Sequence, residues 1–274
     1  MSGIGHFRLG HLTLRQPPAR DSCFTVVLRD SEMHEHAGSD PRALRETVHR
    51  HMSNEITSLD IAAQCLAEFP DAPWELRLEL ARQCWDESRH VQVLHRRLRE
   101  LGGHKGEFPI STFEWNVTCA LDSLAGRLAT QNRTFEAGAM DVVGSLAPAV
   151  RGGGDAQTAE VLDGILADEI HHVRFANRWI KAMVAQDRRV LLKVASAVRF
   201  LAEVNAALQS KEGEANAVGT VMPDPAQRVP AVNVEDRRLA EFDDDEIREV
   251  LRQAGFRSLL PEPPEPPDDR AEPA

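Results

Sequence analysis

What most constrains this chain is its punctuation. From Asp40 onward, apolar residues recur at helical spacing in long runs, and proline or glycine interrupts them only at wide intervals. Asp40-Pro41 has the form of a helix start, with an N-cap acid and a proline in the first turn. The first run extends from Leu44 to Phe69 and stops at Pro70, and Asp71 and Pro73 open a second that ends at Gly102-Gly103. A third is expected from Thr112 to Leu146, ended by Pro148. After the turn "RGGGD", a fourth covers Ala156 to Ala185 and a fifth Arg188 to Leu208. The four principal runs are roughly 27–35 residues long, or roughly 40–50 Å as helices. Long amphipathic helices joined by tight turns bury their apolar faces against one another. The expected fold class is therefore all-α, a four-helix bundle with an added fifth helix over residues 41–210.

The flanks read differently. In the N-terminal extension, 1–40, "FRLGHLTLRQ" and "CFTVVLRD" alternate weakly, as short strands or extended arms do, and "SEMHEHAGSD" reads as a solvated linker. Residues 211–260 form a C-terminal extension with one short helix in "DDDEIREVLRQAGF". Residues 261–274 are rich in proline and acid and read as a disordered tail.

Two of the long runs carry the same pattern, Asp-Glu-x-x-His: Asp86-Glu87 with His90, and Asp168-Glu169 with His172. On a helix, residues i and i+3 lie one turn apart on one face, so each Glu and His can hold the same cation. One such pair is common by chance. Two pairs on two long helices match the carboxylate-bridged dimetal bundles, which also take one Glu from each of the other two helices. The first run offers Glu55 and the third Glu136. If each pair of helices is an antiparallel hairpin, its ligands must lie at one height, and the turn must fall midway between them. Midway between Glu55 and Glu87 is position 71, at Pro70-Asp71; midway between Glu136 and Glu169 lies Arg151 to Gly154. Both are turns that proline and glycine mark independently. The candidate ligands are thus Glu55, Glu87, His90, Glu136, Glu169 and His172, whose four glutamates offset the charge of two divalent ions. His171 stands about 200° round the helix from Glu169 and is expected to point away. His51, one turn before Glu55, either lines the pocket or is a packed, hydrogen-bonded histidine. Trp85, Trp115 and Phe135 lie near the ligand level, as pocket walls or as ordinary core.

Composition excludes several classes. The net charge is −11 and the pI about 5.5, which argues against a phosphate-backbone binder. No apolar run reaches membrane-spanning length, and the N-terminus lacks a secretory pattern. Cys23, Cys65, Cys84 and Cys119 are far apart and form no Cys-x-x-Cys, so a reduced, cytoplasmic protein is expected. The chain has no tyrosine, which excludes tyrosyl-radical chemistry.

The ligand order resembles the ferritin-like di-iron carboxylate superfamily in its fully duplicated form, shared by ribonucleotide reductase small subunits, multicomponent monooxygenases, acyl-carrier desaturases, rubrerythrins and manganese catalases. Three stretches, beginning "EFPDAPWELRLELARQCWDESRH", "FEWNVTCALDSLAGRLATQNRTFEAGAMDV" and "ADEIHHVRFANRWI", are also similar to an uncharacterised bacterial ferritin-like family known as a domain of unknown function. That likeness covers roughly 45–185, with a weaker echo in "PAVNVEDRRLAEFDDDEI". Where that family carries a histidine two residues before its first glutamate, this chain has Ser53, with His49 and His51 upstream. The resemblance implies that Asp86 hydrogen-bonds His172 and that Asp168 hydrogen-bonds His90, fixing each ring's tautomer.

A buried, oxygen-rich pair of iron ions suits dioxygen activation. The expectation is a non-haem di-iron oxidase or oxygenase acting on a small organic or carrier-bound substrate, supplied by an unidentified electron donor, without nucleic-acid or membrane partners, and open to homodimer formation. Two other readings stand beside it. One is a manganese catalase or peroxidase, because ligand order does not choose between Fe/Fe, Mn/Fe and Mn/Mn. The other is a non-enzymatic metal-binding protein. Storage ferritins usually lack the second Glu-x-x-His, and rubrerythrins usually add a Cys-x-x-Cys iron module.

Overall fold

A computed structural model describes residues 5–28, 36, 40–216 and 232–256. Helix α1, Ala43–Glu68, runs into a turn at 69–73 and returns as α2, Trp74–Glu100. Pro73 ends the turn in an extended conformation and α2 begins at the next residue. A second hairpin pairs α5, Ala137–Gly152, with α6, Ala156–Gln186. Its turn closes through Gly154 at φ 95°, and the Asp155 carboxylate accepts the Thr158 backbone N–H at the start of α6. Both turns lie where the ligand midpoints require them. The fifth long helix, α7, spans Val190–Asn216 and packs on α4 and α6.

The third run is not one helix. It divides into α3, Phe113–Thr118, then α4, Leu124–Thr130, then a π-helical turn, Gln131–Glu136, that leads directly into α5. Ser123 caps α4 by accepting the Gly126 N–H. Pro148 does not end the run: α5 continues to Gly152. A helix-interior proline costs about 3 kcal/mol. Here Val143 and Ala147, in the turn just before it, are buried against Leu162 of α6, and this packing holds the helix through the proline.

The N-terminal extension holds a two-stranded antiparallel hairpin, β1 His6–Leu9 and β2 Leu12–Arg15, turning at Gly10 with φ 58°. Its Leu9, Leu12 and Leu14 pack with Val117 and Val204. "CFTVVLRD" forms no strand among its described residues, only a bridge from Val27 to Ile110. His36, expected to be solvated, bonds Glu46 through both its backbone N–H, at 2.8 Å, and its ring, at 2.6 Å. His34, Glu35 and residues 261–274 lie outside the described residues. Downstream of α7, α8, Val234–Leu239, and α9, Asp244–Gln253, cover the α5–α6 hairpin. Asp243 and Glu246 cap α9 reciprocally.

Two of the bundle's apolar clusters bracket the candidate ligands. One contains Ile61, Leu76, Leu80, Trp115, Leu128 and Phe175; the other contains Val48, Met52, Leu94, Leu98 and Ile165. In α1, α2 and α6 the candidate ligands fall between the residues given to one cluster and those given to the other. The polar level is therefore walled above and below by hydrocarbon.

The C-terminal cover is fastened by a buried ion pair. Arg237 donates to Asp141 at 2.5 Å, with side chains 5% and 8% exposed, and Asp141 also accepts the Asn233 N–H at 2.7 Å. Asp141→Ala leaves Arg237 buried without its partner and is expected to lower stability by about 3–5 kcal/mol. The check is the urea midpoint, together with faster proteolysis of the α8–α9 segment; a loss below about 1 kcal/mol contradicts this role.

Candidate dimetal centre

All six candidate ligands are buried: Glu55, Glu87, His90, Glu136, Glu169 and His172 are each at most 5% exposed. They come from α1, α2, the π-helical turn and α6, and fall into two groups with ligand atoms close enough to share an ion. Glu55, Glu87, His90 and Glu169 form one; Glu87, Glu136 and His172 form the other. The two imidazole rings are 6.2 Å apart. Between them, Glu87 and Glu169 each turn one oxygen toward either ring. For Glu87, the distances are 3.1 Å to His90 Nδ1 and 3.5 Å to His172 Nδ1. For Glu169, both distances are 3.6 Å. Glu55 Oε2 stands 3.4 Å from His90 Nδ1.

The outer nitrogen of each ring is occupied. His172 Nε2 bonds Asp86 at 3.3 Å, and His90 Nε2 bonds Asp168 at 3.1 Å. A carboxylate on Nε2 holds the proton there and leaves the Nδ1 lone pair facing inward. Arg89 joins the two pairs: one terminal nitrogen donates to Asp86 at 2.5 Å and to Asp168 at 2.8 Å. His171 points away, as expected, and bonds Glu79 at 2.9 Å.

The acids and imidazoles perturb one another strongly. Burial, then the Glu169 and Glu55 carboxylates, push Glu87 well above the ordinary carboxylate range. Burial and Glu169 likewise raise Glu136 to about 8. Burial opposes charge on His90, yet its bonds to Glu55 and Glu87 raise it to about 11. His172 is held well above its ordinary value, against burial, by Glu87 and Glu169. Within the candidate ligand set, His172 Nδ1 and Glu169 Oε2 are buried without a hydrogen-bond partner. Crowded buried carboxylates and an unpartnered inward ring nitrogen are what a divalent cation could satisfy.

A cavity of about 40 Å³ adjoins the carboxylates, lined by His51, Asn54, Ser58, Glu114, Phe135 and Ala139 along with Glu55, Glu136 and Glu169. His51 contacts Glu55 Oε1 at 2.7 Å. Of the proposed wall residues, His51 and Phe135 line this cavity. Trp85 does not: it is 64% exposed, because it stands two residues from Glu87 and so on the far side of α2. Trp115 does not either: its Nε1 donates to the Gln16 carbonyl at 2.7 Å while its ring fills the core.

Besides Arg89, two residues of the site went unnoticed in the sequence. Gln83 Nε2 donates to Glu87 at 3.1 Å and to Glu136 at 2.5 Å. Asn132 donates to Gln83 at 3.1 Å and to Glu136 at 2.8 Å. Each stands four residues before a candidate ligand, Gln83 before Glu87 and Asn132 before Glu136. That shared offset was the available signal.

The family described as "Protein of unknown function (DUF455)" matches residues 6–248. An uncharacterized protein of Haemophilus influenzae is 31% identical over 107 residues, which is 39% of this chain and 36% of that protein. The match thus spans about a third of the relative's length. No solved structure matches the chain significantly.

Because one arginine serves both Asp–His pairs, Arg89→Ala is expected to weaken both metal-binding steps together, by about 10–100-fold. Asp86→Asn should weaken the step at His172, and Asp168→Asn the step at His90. Calorimetric titration with Mn(II) resolves the two; an Arg89 effect confined to one step contradicts the shared role. Metal must also displace protons. Affinity should be highest above about pH 8, where Glu136 ionises, and fall as the pH drops below it. Apparent Kd values for Mn(II) at pH 6 and 8.5 test the sign.

Proposed function

We propose that this chain, which belongs to the DUF455 family, is a ferritin-like dimetal oxidoreductase that activates dioxygen with two iron ions. The observation that carries the reading is the pair of ligand groups sharing Glu87, with both histidines held on Nε2 by aspartates and turned by Nδ1 toward the buried carboxylates. Glu55, Glu87, His90 and Glu169 would hold one ion, and Glu87, Glu136 and His172 the other. When bound, such a pair supplies Lewis acidity and exchangeable electrons at one buried point.

The remaining work falls to the protein's own side chains. Asp86 and Asp168 orient the rings. Gln83 and Asn132 hold Glu87 and Glu136 in place through fixed hydrogen bonds. His51 keeps a proton at the cavity edge against Glu55, and Phe135 and Ala139 limit water there. The apolar clusters above and below keep the centre dry. The electrons come from a separate donor, and the oxidised substrate is a small organic or carrier-bound molecule.

The cavity favours a second reading. About 40 Å³ holds a diatomic oxidant or peroxide with a water or two, whereas small-molecule pockets run roughly 300–1,000 Å³. A di-manganese centre that disproportionates hydrogen peroxide fits that volume without movement and needs no electron donor.

Reconstitution with Fe(II) or Mn(II) is expected to give two metals per chain, and fewer than one would sink both readings. The oxidase reading expects oxygen uptake that requires reductant and is stimulated by a specific organic compound. The peroxide reading expects oxygen evolution from hydrogen peroxide alone. Glu87→Ala should abolish whichever activity appears, by at least about 100-fold.

A further inference from the structure

The outer face of α2 has a separate feature, and it does not depend on the metal reading. Trp74, Leu78 and Trp85 are 66%, 50% and 64% exposed, and Ala81 is also exposed. Their spacing of four, three and four residues places them on one stripe, opposite the face that buries Leu76, Leu80, Glu87 and Leu94. Two of the chain's four tryptophans therefore stand in solvent on one helix. Exposed aromatic stripes of this kind mark interaction surfaces.

The stripe is symmetric about its own centre. Reversing the helix direction exchanges Trp74 with Trp85 and Leu78 with Ala81. This is the pairing an antiparallel two-helix seam makes, each a position meeting a d position of the other helix. The flanks agree. Glu75 and Arg82 fall at the same flanking position of successive heptads, and an antiparallel pair brings that position against itself. Glu75 of one copy would then face Arg82 of the other, twice, related by the two-fold axis. On the opposite flank stand Arg77 and Cys84, which bring no like charges together. Glu75 has no ion pair among the described residues, and Arg82, 51% exposed, makes only a 3.3 Å contact through Nε to Asp86. We propose that α2 is the contact helix of a two-fold homodimer, its partner a second copy of this chain, with Trp74 packed on Trp85 of that copy and Glu75 paired with its Arg82.

The area sets the strength. A buried tryptophan covers roughly 150–250 Å², and about two thirds of that remains free here, so four tryptophans and two leucines supply most of a small interface but less than the roughly 1,200 Å² of a stable one. The dimer should therefore dissociate at low micromolar concentrations. Beyond Trp85 the seam positions become Ser88 and Gln92, which ends the contact after two heptads.

Sedimentation equilibrium of the full chain from 1 to 200 μM tests this. The expected result is a reversible monomer–dimer equilibrium. Trp74→Glu with Trp85→Glu should give a monomer throughout, with unchanged helical circular dichroism because both side chains are exposed. Glu75→Arg alone and Arg82→Glu alone should each weaken dimerisation by about tenfold, and the double variant should restore it. A wild-type monomer at 200 μM overturns the proposal. So does a dimer indifferent to the tryptophan substitutions, or a double charge variant no better than the singles, since that removes the antiparallel register.

Discussion

Everything in this bundle is arranged around the difficulty of burying four carboxylates at one level. An isolated ionised carboxylate taken out of water is too costly to persist unless it is paired, protonated or bound to a cation. Here Glu55, Glu87, Glu136 and Glu169 meet inside a buried layer with three imidazoles, those of His51, His90 and His172, as their nearest positive partners. The helix lengths follow from that requirement. Each hairpin must carry its acids to the same height, so the turn must be equidistant from both. The apolar clusters on either side supply the driving force that holds this layer shut.

The same constraint orders the residues around the acids. Gln83 and Asn132 spend their amide donors on Glu87 and Glu136, Asp86 and Asp168 fix the rings, and Arg89 neutralises both aspartates. Arg89 is half exposed, at 43%, so this chain of polar contacts runs from the buried acids to solvent. Helix α2 carries two faces: Glu87 and His90 inside, Trp74 and Trp85 outside. A residue such as Arg82, touching Asp86 inward and solvent outward, lies between them.

Much of the ligand set was legible because helical periodicity turns sequence spacing into geometry. Glu87 with His90, and Glu169 with His172, share a face by spacing alone, and the proline and glycine turns set their heights. The same periodicity removes Trp85 from the pocket, since two residues from Glu87 is the opposite side; proximity in sequence misled there. Trp115 could not be placed because its position depends on a contact with Gln16, about a hundred residues away. Pro148 misled for a different reason. A backbone penalty is local, but whether a helix continues through it depends on Val143 and Ala147 meeting Leu162, which only the packed hairpin reveals. The π-helical turn that delivers Glu136 leaves no mark in the apolar pattern.

On the proposed oxidoreductase reading, the cavity limits which molecules could reach the centre. It meets the carboxylates on the side of Glu55, Glu136 and Glu169, and Glu114 adds another acid to its lining. An anionic substrate would approach a wall that is already acidic, in a chain of net charge −11. A long apolar chain would have to displace Asn54 and Ser58 from a space of about 40 Å³. Small neutral molecules, dioxygen and hydrogen peroxide among them, meet neither barrier. On that reading, an organic substrate would require the helices to part at Phe135 and Ala139, on the π-helical turn and the first turn of α5. That is the stretch where the regular backbone ladder of the bundle is already interrupted.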